Sequence, residues 1–140
     1  IIETNLDDWS PETFPHLAER LFHEGALDVT LAPIQMKKGR PGFCLQVISS
    51  EASAHPLKEI ILAETTAIGL RFRTELRRTL VRRQITVETR WGAVVAKQVE
   101  TPKGVVIYPE YEECRKLANR HQVPLRTVYD EVRSCGMRLQ

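Results

Sequence analysis

Three carboxylates and an amide lie within six residues near the start of the chain, in Glu3-Thr4-Asn5-Leu6-Asp7-Asp8. On an extended strand Glu3, Asn5 and Asp7 point to one side. Such a row of oxygen donors suits a hard cation such as Mg²⁺ or Mn²⁺, with Asp8 in the bend beyond. The same acids have a plainer use, because Asp7 or Asp8 can cap a following helix.

A second stretch has the opposite charge. Lys37-Lys38-Gly39-Arg40-Pro41-Gly42 combines cations, glycines that let backbone N–H groups approach a ligand, and a proline that limits flexibility. That chemistry suits phosphate. The loop lacks the GxxxxGK[ST] pattern of a P-loop, and a solvated basic turn is the alternative reading. Arg71 and Arg73 are further candidates for phosphate, provided that their strand lies beside the acidic one. Arg77 to Arg83 read as a solvated strand face or a subunit contact. With aromatics at 6% of the chain, few interleave with those arginines, and nucleic acid is not expected as a partner.

The remaining chemistry-bearing residues are less suggestive. His16, His23, His55 and His121 have no metal-binding spacing. Cys44, Cys114 and Cys135 form no CxxC pair, which suits a reducing cytosol, and Cys44 and Cys114 read as small buried hydrophobes. No Ser, Cys or Lys has a local base, so covalent catalysis is unsupported.

Apolar periodicity gives the elements that must position these groups. Ile1 to Leu6 reads as a strand that ends at the acids. Phe14, Leu17, Ala18, Leu21 and Phe22 recur at helical spacing up to Gly25. Leu27 to Ile34 and Phe43 to Ser49 form a hairpin with a basic tip, and Leu57, Ile60 and Ile61 mark a second helix. From Ile68 to Arg77 the alternation predicts a strand with one buried and one charged face. The order of strand, helix, strand, strand, helix, strand is that of a ferredoxin-like split βαβ unit, an α+β fold with an antiparallel sheet and both helices on one face. Residues 1–82 are assigned to this nucleotide-binding core. Residues 83–140 are assigned to a β-hairpin extension and a C-terminal helical pair, the whole forming one compact unit. The strands after Ile85 either extend the first sheet or form a second.

Length and a net charge of +2 bound the problem without solving it. No apolar run reaches the roughly 18 residues that span a bilayer, and a membrane partner is not expected. The chain opens on Ile1, in sequence that already reads as strand, which suggests a piece of a longer protein.

Taken together, ETNLDDWSPE (Glu3 to Glu12), GALDVTLAPIQMKKGRPG (Gly25 to Gly42), ETTAIGLR (Glu64 to Arg71) and PEYEECRKLA (Pro109 to Ala118) give the chain a specific resemblance to one family. It resembles the C-terminal domain of the LarC family, the nickel-insertion proteins of nickel-pincer nucleotide cofactor synthesis for lactate racemase. It departs at Trp9, where the family pattern has a smaller apolar residue. The resemblance implies a cytoplasmic, CTP-dependent cyclometallase that inserts nickel into pyridinium-3,5-bisthiocarboxylic acid mononucleotide and converts CTP to CMP and pyrophosphate. This part would bind CTP with Mn²⁺ or Mg²⁺ and act with its own N-terminal domain. Asp7 and Asp8, helped by Glu3 and Asn5, would position the metal. Lys37, Lys38, Arg40, Arg71 and Arg73 would neutralise the triphosphate. Glu110, Tyr111 and Glu113 take no assigned step.

The charged strand and exposed hairpin point to a homo-oligomer, and with the family resemblance the expected assembly is a trimer or hexamer. A non-catalytic sensing or oligomerisation module is the competing reading, because a ferredoxin-like sheet does not by itself fix function.

Overall fold

Ile2, Thr4 and Leu6 alternate with Glu3 and Asn5, and this period of two makes β1 (Ile2–Leu6), with the first set buried and the second facing outward. A short 3₁₀ turn, Pro11–Thr13, leads into α1 (Phe14–His23). Pro15 is accommodated in the first helical turn, where its missing N–H has no intrahelical partner to lose. The hairpin of β2 (Ala26–Gln35) and β3 (Pro41–Ser49) follows, then α2 (Ala54–Glu64) and the two-residue β4 (Arg71–Phe72). The structure is a computed structural model that describes residues 1–137.

These first elements build a compact unit, Ile1–Leu76. Its sheet order is β2-β3-β1-β4 with every pair antiparallel, the arrangement expected of a split βαβ unit. Leu17 and Leu21 of α1 and Leu57 and Ile61 of α2 pack with Ile2, Leu6, Val29, Leu45 and Val47 from the sheet. Both helices therefore cover one sheet face, and Glu3, Asn5, Cys44 and Gln46 lie on the other.

The expected long fourth strand is corrected. Only Arg71 and Phe72 pair with β1, extended by reciprocal bonds between Ile1 and Arg73. Ile68 and Leu76 are fully exposed and Phe72 is 65% exposed, so the alternation does not mark a buried face. The core is filled from β1, β2 and β3 with the two helices, and only Ala67 and Leu70 of this segment reach its margin.

The second compact unit, Arg77–Gln140, has its own three-stranded antiparallel sheet: β5 (Arg82–Thr89), β6 (Gly92–Thr101) and β7 (Gly104–Pro109), in that order. A separate sheet thus forms, rather than an extension of the first. α3 (Tyr111–His121) and α4 (Leu125–Met137) cover one of its faces, with Cys114, Ala118, Val128 and Val132 packed on Val87, Val94, Ala96 and Ile107.

Candidate functional site

The register of the first sheet sets the acidic stretch beside the basic loop. β1 pairs with β3 from Ile2↔Val47 to Leu6↔Phe43, which carries Asp7 toward the hairpin tip. Gly42 permits the close approach, because a Cβ there would lie 2.6 Å from the Leu6 carbonyl oxygen and 2.7 Å from Met36 Sδ. The tip is closed by the Met36 N–H donating to the Arg40 carbonyl at 2.8 Å. Arg40 then reaches across, with its guanidinium 3.2 Å from Asp7 Oδ2.

Within the tip Lys37–Gly39 form a 3₁₀ turn in which Lys38 has φ 62° and ψ 20°, a left-handed conformation rare for a residue with a Cβ. Such a conformation costs about 1–2 kcal/mol, and tight turns of this kind gather N–H groups into anion-binding concavities. Among the described residues Lys37 and Lys38 have no ion-pair partner, so both charges remain available to a ligand. Beside them, Pro33, Ile34, Gln35, Gly39 and Pro41 line an open depression of about 350 Å³.

β4 brings the arginines to the outward row of β1. Arg71 donates to Glu3 Oε1 at 2.7 and 3.2 Å and to Asn5 Oδ1 at 2.9 Å. Gln46 donates to Glu3 Oε2 at 3.4 Å. The Arg71 guanidinium, then Gln46, hold the Glu3 carboxyl below the usual carboxylate range and keep it charged. Arg73 lies 3.6 Å from Glu3 but bonds Glu75 at 2.6 Å. Cys44, opposite Asn5, is half-buried; its thiol is pushed up by burial and then by the Glu3 charge, which leaves it a poor nucleophile.

The sequence-predicted residues thus fall into two groups. Asp7 meets Arg40, while Glu3 and Asn5 turn to Arg71. Asp8 meets neither and instead accepts a hydrogen bond from Thr66 Oγ1 at 2.5 Å. Thr66 was legible as part of the TTAIGLR run, but nothing in its spacing marks it as a partner of Asp8. Trp9 Nε1 donates to the Glu64 carbonyl at 3.3 Å, and the Glu64 side chain is paired with Arg20.

The donor set is hard oxygen, which fits Mg²⁺ or Mn²⁺. Among the described residues, however, no three His, Cys, Asp or Glu side chains gather closely enough to hold a metal ion. The fit is therefore to a cation held by one or two carboxylates and completed by phosphate oxygens, the usual manner for Mg²⁺. No described helix is long and apolar enough to cross a membrane.

The family model described as "Nickel insertion protein" matches residues 1–129. A protein of Desulfotalea psychrophila named as a nickel insertion protein is 59% identical over 132 residues, covering 94% of this chain and 34% of that protein. A pyridinium-3,5-bisthiocarboxylic acid mononucleotide nickel insertion protein of Clostridium acetobutylicum is 41% identical over 134 residues, covering 94% of this chain and 32% of its own length. The chain thus spans about a third of the length of these curated relatives. Among solved structures it is similar to LarC2, the C-terminal domain of a cyclometallase involved in the synthesis of the NPN cofactor of lactate racemase, in its apo form. That match has a TM-score of 0.88 and 38% identity over 96% of this chain and 93% of the other. A protein from Methanopyrus kandleri gives a TM-score of 0.66 at 26% identity, covering 95% and 82% of the two chains.

Proposed function

Because the chain belongs to the nickel insertion protein family, we propose that it is the CTP- and divalent-metal-binding part of an enzyme that inserts nickel into pyridinium-3,5-bisthiocarboxylic acid mononucleotide, with cleavage of CTP to CMP and pyrophosphate. The observation that carries the nucleotide reading is the meeting of the acidic turn with the basic tip, where Arg40 and Asp7 stand 3.2 Å apart. A metal-bound triphosphate brings both charges that such a pair lacks when separated. Phosphate oxygens replace Asp7 at Arg40, and the cation sits at the acidic turn of Asp7 and Asp8. Lys37 and Lys38 add charge from the turn, and Arg71, whose Nε and Nη2 are taken by Glu3 and Asn5, adds its charge and its remaining Nη1 donors. When bound, the cation neutralises the triphosphate and polarises its phosphoryl oxygens.

Nickel is the cargo of the reaction, and its insertion requires the part of the enzyme that lies outside this chain, including the N-terminal domain. The chain alone binds nucleotide and inserts no nickel. The exposed side chains of Ile68, Phe72 and Leu76 favour assembly of several copies over a lone subunit.

Calorimetric titration with CTP, ATP, GTP and UTP, with and without Mn²⁺, tests this reading. CTP is expected to bind most tightly, and more tightly with Mn²⁺. No CTP binding under any metal condition would refute it.

A further inference from the structure

We propose that Thr66 is a positioning residue that presents Asp8, rather than Asp7, to the cation accompanying the nucleotide; this rests on the reading above and sharpens it. The two neighbouring acids are held differently. Asp7 is the counter-ion of Arg40, with its charge offset by a guanidinium on the hairpin tip. Asp8 is held by a neutral donor: the Thr66 hydroxyl gives its single proton to Oδ1 at 2.5 Å, fixing the carboxylate without cancelling its charge. Among the described residues Asp8 Oδ2 has no partner. An oriented, charged carboxylate with a free oxygen is what a cation ligand requires, whereas one shared with arginine must first be released.

The support for Thr66 is itself anchored at both ends. Before it, the Thr65 hydroxyl donates to the Ile61 carbonyl at 2.7 Å and accepts the Ala67 N–H at 3.1 Å, turning the chain at the end of α2. After it, the hydroxyl of Thr4, only 4% exposed, donates to the Gly69 carbonyl at 2.9 Å. On the other side of the hydrogen bond, Trp9 ties the residue after Asp8 to the Glu64 carbonyl at 3.3 Å. Glu64 is in turn paired with Arg20 of α1, and His16 lies 4.0 Å from it. The larger residue at position 9 thus has a definite use, because an aliphatic side chain there has no donor for α2. Position 8 and position 66 are fixed to the same helix end, so the hydrogen bond between them is set by the fold rather than by side-chain chance.

The test is the affinity of the chain for CTP without metal and with Mn²⁺, read as the ratio of the two dissociation constants. Thr66→Val is close in shape and lacks the donor; it should cut the Mn²⁺-dependent gain by roughly tenfold, the loss falling in the metal-loaded arm. Thr66→Ser should restore the gain. Asp8→Asn should abolish it, while Asp7→Asn should still show one. A Thr66→Val variant with the full Mn²⁺ gain, or one that loses metal-free CTP binding to the same extent, overturns the positioning role, as does a Thr66→Ser variant that behaves like valine. Loss of the gain in Asp7→Asn but not in Asp8→Asn overturns the choice of ligand. A wild-type chain without CTP affinity refutes the underlying reading and this proposal with it.

Discussion

Asp7→Asn probes how the site is held before nucleotide arrives. Asn keeps the size of the side chain and an oxygen acceptor for Arg40 but removes the charge. The pair is solvent-accessible, with side-chain exposures of 59% for Arg40 and 27% for Asp7 at 3.2 Å, which puts its worth at about 0.2–1 kcal/mol. The variant should therefore fold, with its Tm lowered by at most about 4–8 °C for a domain of this size. In metal-free CTP binding the same energy acts in the other direction. Arg40 no longer leaves a carboxylate to meet phosphate, so affinity should rise by about 1.4- to 5-fold. Removing a negative charge beside the triphosphate adds to the same effect. The assay is calorimetry in EDTA at low ionic strength, repeated at higher salt, where the gain should shrink because exposed charges are screened. An unchanged or weakened metal-free affinity would refute the view that Asp7 holds Arg40 away from phosphate.

Other outcomes follow from single contacts. Glu3 is held below the usual carboxylate value by Arg71 and Gln46. The unfolded chain therefore takes up that proton first as pH falls below about 5, so the stability Glu3 contributes above that range is lost toward its folded pKa. Thermal melts of Glu3→Gln should be less stable at pH 7 and flatter between about pH 5 and 3 than those of the wild type. Gly42→Ala places a Cβ 2.6 Å from the Leu6 carbonyl oxygen and should destabilise the first unit by about 1–3 kcal/mol in denaturant melts. Lys38→Gly relieves the left-handed strain at φ 62° and should raise stability by about 1 kcal/mol, while lowering CTP affinity by on the order of tenfold with or without metal.

Much of the scaffold was legible because its signals are local. The helical spacing of Leu17 and Leu21, the acids at the end of β1 and the basic hairpin tip all survive as expected, and sheet topology follows from element order. The segment after Ile68 was not legible. Its alternation of apolar and charged residues is what a half-buried strand produces, but among the described residues Ile68 and Leu76 find no opposing surface. Periodicity reports that a face exists and is silent on what covers it. The pairing of the acids was also hidden. Glu3 and Asn5 share the outward side of β1 as the period dictates, but the strand ends at Leu6 and leaves Asp7 in the bend; Arg71 draws off the first two and Arg40 the third. Those partners lie 68, 66 and 33 residues away, distances at which no spacing rule operates. Thr66, 58 residues from Asp8, was hidden for the same reason.

The central claim is that the acidic turn and the basic hairpin tip together hold a triphosphate and its cation. A crystal structure of the chain grown with CTP and Mn²⁺, with data collected at the manganese absorption edge, tests it most directly. The account predicts phosphate density over Lys37–Arg40, an Arg40 side chain released from Asp7, and an anomalous peak at the Asp7–Asp8 turn. Nucleotide bound away from the hairpin tip, or manganese remote from both aspartates, would contradict it.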